Sequence, residues 1–105
     1  MELFHIKTIL SSMERKPLNK EVFCTTDHLK TQVMRLEAGF SIPPCKMDND
    51  VLFYFLKGEG TIIVDNETRN VGTGDCVVVS HKAESRSIHA VTELEILAVQ
   101  GVNNK

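Results

Sequence analysis

The chain is poor in the features that announce a compartment or a polymeric partner. Its three cysteines, Cys24, Cys45 and Cys76, lie far apart and form no CxxC pair. That excludes a secreted disulfide framework and fits a reducing, cytoplasmic setting. No apolar run approaches the ~18 residues that a bilayer-spanning helix needs, so no membrane partner is expected. Like charges never cluster beyond two or three residues and the net charge is only −2, so no nucleic-acid partner is expected either. The opening Met1-Glu2-Leu3-Phe4-His5 lacks the basic-then-apolar order of a signal peptide. There is no internal repeat, and no stretch of about 12 residues carries helical periodicity.

What remains is a chain of 105 residues with 42% hydrophobic and 25% charged residues, enough for one globular domain with a single core. Glycine and proline divide it into short β-like runs. Leu3 to Ile9 alternates weakly and reads as an edge strand reaching across a partner. The polar stretch Ser11 to Lys20, with Pro17, reads as a loop. Strands are expected at Glu21–Thr25, Leu29–Leu36, Val51–Lys57, Thr61–Val64, Thr68–Val71, Cys76–Val79, Ser87–Val91 and Leu94–Val99. Val51–Lys57 is nearly all apolar, which predicts burial on both faces. Pro43-Pro44 holds its segment extended, and the tail from Gly101 is expected to fray. Many short strands at 8–12-residue spacing imply an all-β barrel or sandwich.

Three segments carry a spacing of their own: Gly39 to Met47, Val51 to Gly60, and Gly74 to Ser80. Together they resemble the two-motif core of the cupin superfamily, in its small single-domain, RmlC-like form. The strongest part of the likeness is "LKGEGTIIVDNE…VGTGDCVVVS", and the similarity spans roughly residues 29–99. The resemblance implies an antiparallel jelly-roll β-barrel over a single domain, 1–105, with 1–28 as an extension used in dimer contacts. In the family the first motif is a glycine, five residues, His-x-His, three or four residues, Glu, six residues and a glycine. Its His and Glu side chains, with a fourth His from the second motif, usually bind a metal.

Here those positions hold Cys45, Met47 and Val51, between the matching glycines Gly39 and Gly58. Val51 cannot coordinate a metal, so neither a zinc nor a non-haem iron set assembles from these positions. A soft ion such as copper(I) could use two sulfurs, but no third donor is identifiable. Cys45 and Met47 therefore read first as apolar filler against Phe53 and Phe55, and buried strand positions are the default for Cys24 and Cys76. No metal and no other cofactor is expected.

The second motif, counted from Gly74, places Ser85 at the family's last histidine; a loop one residue longer places Arg86 there. Strand parity favours Arg86 inward, because Ile88 and Ala90 then follow it into the barrel. A guanidinium there repels a cation and offers a planar fork to a carboxylate or phosphate. The pocket candidates are thus Cys45, Met47, Val51, Phe53, Phe55 and Arg86. His81 and His89 could serve as general acid or base but show no carboxylate partner in sequence, and Asp48-Asn49-Asp50 reads as a solvated turn. The first reading is a metal-independent, small-molecule-binding cupin: a sensor, carrier or accessory protein. The alternatives are an enzyme, metal-free like the isomerase and epimerase members or using a soft metal at Cys45 and Met47, and an assembly protein. A homodimer suits all three.

Overall fold

The computed structural model describes residues 1–102 as one short helix followed by nine strands. Strands β1 (Leu18–Thr25), β2 (Leu29–Leu36), β9 (Leu94–Gly101), β4 (Val51–Lys57) and β7 (Cys76–Val79) form one antiparallel sheet, in that spatial order. Strands β3 (Ser41–Cys45), β8 (Arg86–Ala90), β5 (Glu59–Val64) and β6 (Glu67–Gly72) form the second. The two sheets face each other as an antiparallel jelly roll. Pro43 and Pro44 sit on β3, an edge strand where a missing backbone donor breaks no inner ladder.

The period-2 alternation of each strand decides what lies between the sheets. Met34 and Leu36 of β2, Phe53 and Phe55 of β4, and Leu94 and Ile96 of β9 point inward, with Ile62, Ile88 and Ala90 from the opposing sheet. Each such aliphatic or aromatic side chain stabilises the fold by roughly 1.5–3 kcal/mol on burial. Strand β4 is not buried on both faces as its composition suggests. Val51, Phe53 and Phe55 are buried, while Tyr54 between them is 39% exposed on the outer surface.

The N-terminal segment corrects the sequence reading. Leu3 to Ile9 forms no strand; α1 spans Ile6–Ser12. Ile6, Ile9, Leu10 and Met13 recur at helical spacing, and this face packs on Val33, Leu56 and Leu97 on the outside of the five-stranded sheet. A seven-residue helix is too short for the periodicity to stand out from an alternating run. Strand β1 also starts earlier than expected, at Leu18, and pairs along β2 of its own chain with a bulge between Val22 and Cys24.

Beneath α1 lies one buried charge. Arg35, 3% exposed, donates to the Leu10 carbonyl near the end of the helix and stands 3.6 Å from Glu95, its cross-strand neighbour on β9. The tail expected to fray from Gly101 is held at its first two residues: Gly101 donates to the Asp50 carbonyl and Val102 to the His28 carbonyl. The remainder of that tail lies outside the described residues. Among the described residues, no helix is long and apolar enough to cross a membrane.

Candidate functional site

A cavity of about 460 Å³ opens between the two sheets at the end bounded by β1 and β3. Five of the six pocket candidates line it: Cys45, Met47, Val51, Phe53 and Arg86. Phe55 does not. It is fully buried one row deeper, where Ile96 stands beside it on β9. The Ser85–Arg86 fork resolves in favour of Arg86 at the wall, on the same face of β8 as the buried Ile88 and Ala90. Ser85 instead engages the β5–β6 turn, where its N–H donates to Asp65 Oδ1.

Arg86 is half-buried, with its guanidinium carbon 5.2 Å from the centre of the Phe53 ring. That is cation–π range and holds the fork over an apolar floor. Burial disfavours its charged form and pulls the pKa below the ordinary arginine value; the neighbouring Cys45, paired with it across β3 and β8, acts in the opposite sense. Among the described residues no carboxylate pairs with Arg86. A cation taken part of the way out of water with no counter-charge leaves room for an anionic ligand.

Two further cations line the same cavity, and the motif-based reading missed both. Lys20 comes from β1 and Lys30 from β2, with Gln32 between them on the inner face of β2. Among the described residues no Asp or Glu lines the cavity. The signal was available: β2 reads Lys30, Gln32, Met34, Leu36 at alternate positions, passing from charged to polar to apolar into the core. That signal lies outside the two motifs, which begin at Gly39.

Cys45 is not buried filler; it is exposed at the cavity wall, as Cys76 is exposed on β7, and Cys24 is half-buried. The donors at the positions matched to metal ligands are a thiol and a thioether, set beside a guanidinium. Among the described residues no group of three or more His, Cys, Asp or Glu side chains is placed to hold a metal ion. This donor set does not fit a divalent cation.

Among the described residues no histidine lines the cavity. His89 faces outward, with its Nδ1 2.6 Å from Ser41 Oγ. His81 has the carboxylate partner that the sequence did not reveal. Its backbone N–H donates to Asp50 Oδ1 at 2.7 Å, and its ring Nδ1 lies 2.8 Å from the same oxygen. The pair sits in a shallow cleft with His28, away from Arg86. First the backbone N–H and then the ring hold the Asp50 pKa below the ordinary aspartate value. A carboxyl depressed in the folded state stabilises the fold above its unfolded pKa, and that contribution is lost as pH falls through the folded value. Asp50→Asn should therefore lower the melting temperature at pH 7 and make no difference well below about pH 4. Thermal melts across that range check this; a deficit that persists unchanged in acid would contradict it.

A second, wider groove of about 530 Å³ runs between the edge strands β6 and β7. Asp65, Glu67, Arg69 and Lys82 line it, and Arg69 is already paired with Glu67. Its mixed charge gives no field of one sign.

No family model matches the chain, and no curated protein does. Solved structures do. A conserved Streptococcus pyogenes protein of unknown function superposes with a TM-score of 0.82 at 20% identity, over 99% of this chain and 90% of that one. A cupin superfamily protein from Desulfitobacterium hafniense gives 0.79 at 17% identity, over 89% and 86%. The salicylate 1,2-dioxygenase of Pseudaminobacter salicylatoxidans gives 0.76 at 19% identity, over 80% of this chain and 26% of the enzyme. The fold is thus shared by an enzyme and by a protein of unknown function alike.

Proposed function

We propose that this chain, which has the cupin fold, is a metal-independent binding protein for a small organic anion, held between the sheets with Arg86 as its anchor. The observation that carries this reading is the half-buried Arg86 guanidinium over Phe53, in a cavity whose wall has no carboxylate among the described residues. The floor of Met34, Val51, Phe53 and Ile88 takes the ligand's apolar body, and the arginine fork takes its carboxylate or phosphate. The donors at the matched metal positions support a metal-independent site, since a guanidinium there opposes a cation. Chemistry that needs a histidine acid or base at the ligand is less well supported, because His81 and His89 stand outside the cavity. A sensor, carrier or accessory role fits such a site. A homodimer is compatible with it, and β1 itself is committed to its own chain's sheet.

A panel of organic acids and sugar phosphates, screened by thermal shift, tests the proposal. At least one should stabilise the protein, and Arg86→Gln should weaken that compound by about 10- to 100-fold, the worth of a hydrogen bond to a charged group. No stabilising compound, or one that Arg86→Gln binds as tightly, would overturn it.

A further inference from the structure

We infer that the ligand of this cavity is a dianion, with one charge at Arg86 and the other toward the lysines of the five-stranded sheet. The inference rests on the anion-binding reading above and adds the number and placement of the charges. The strand register lays out the wall in rows. Lys30 lies beside Gln100 of β9, which lies beside Val51 of β4. One row inward, Gln32 lies beside Ala98 and Phe53. One row further, Lys20 of β1 lies beside Met34 of β2.

Lys20 and Lys30 are thus separated by four residues along the sheet, roughly 13 Å at the rise of a β-strand. They do not converge on one point. Flexible four-carbon stems let both ammonium groups reach into the space between, where Gln32 supplies a neutral amide. Arg86 faces this array from the other sheet. Neither lysine is ion-paired among the described residues, so their charges are not already spent on the protein's own carboxylates. Three cations spread over the walls of one cavity would repel each other in the empty protein. One carboxylate on Arg86 relieves part of that repulsion, and a second anionic group toward the lysines relieves the rest.

Titration calorimetry with hexanoate and adipate tests this, since the two share a six-carbon chain and differ by one carboxylate. Adipate should bind the unaltered protein about tenfold or more tightly than hexanoate. In Lys20→Gln/Lys30→Gln the adipate-to-hexanoate ratio should fall to about one, and each single variant should reduce it in part. Those single variants also keep the test decisive if the double variant does not fold. Hexanoate and adipate binding equally well to the unaltered protein would overturn the dianion and leave the anion site standing. So would a tenfold preference that survives the lysine changes. Binding of neither acid would count against both readings.

Discussion

Replacing Gly58 by alanine is expected to cost at least about 4 kcal/mol of folding stability, a large share of the 5–15 kcal/mol that holds a domain folded. Gly58 has φ +97°, a backbone state that side-chain-bearing residues rarely adopt. A Cβ there would overlap the Glu93 carbonyl oxygen and stand 2.9 Å from its carbonyl carbon, on the turn that leads into β9. The obstacle is backbone, which cannot rotate away as a side chain can. Gly39 separates the two causes, because it shares the positive φ, at +86°, with nothing within 4 Å of a Cβ. Gly39→Ala should cost only about 1–2 kcal/mol, the conformational part alone. Urea denaturation of the pair checks this. Equal losses would mean that the turn shifts to accept the methyl group.

Arg35→Met should destabilise the protein by about 3 kcal/mol, for a different reason. The guanidinium donates to the Leu10 carbonyl under α1, beside the Met13 N–H, and is the partner of Glu95. Its loss leaves that carbonyl with the Met13 N–H alone and strands a carboxylate that is 20% exposed. Arg35 is not ideally held either, since its Nε has no partner among the described residues. Arg35→Met/Glu95→Leu should therefore recover most of the loss, because an apolar pair of similar volume can replace a buried ion pair. A single-variant cost under about 1 kcal/mol, or no recovery in the double variant, would show that the pair carries little of the helix docking.

The same two residues show how far the sequence was legible. Gly58 and Gly60 mark the break between the expected strands Val51–Lys57 and Thr61–Val64. The sequence did not reveal why glycine is needed. Gly60 has no unusual φ; β8 runs so close that a Cβ would overlap the His89 carbonyl oxygen. Close approach between strands distant in sequence leaves no local mark. Arg35 lies inside the expected strand Leu29–Leu36, but its burial depends on α1, whose apolar residues mimic an alternating strand in the sequence.

The cavity divides in the same way. Parity alone distinguished Arg86 from Ser85, because a one-residue slip would have turned Ile88 and Ala90 out of the core. Phe55 shared the parity of Phe53 yet lies too deep, since parity gives the face and not the depth. Lys30 is legible in the alternation of β2, whereas Lys20 can be placed only through the register of β1 on β2, and His81 with Asp50 only through a contact across 31 positions.

The central claim is that Arg86 receives the ligand's anionic group, and it is tested most directly at the guanidinium itself. In an ¹⁵N spectrum tuned to arginine side chains, the Arg86 Nε–H signal is identified by its absence from Arg86→Gln. During titration with adipate it should move saturably, together with signals of Val51, Phe53 and Ile88 on the cavity floor. A stationary Arg86 signal, with the changes gathered instead at Arg69 and Lys82 in the groove between β6 and β7, would contradict the account.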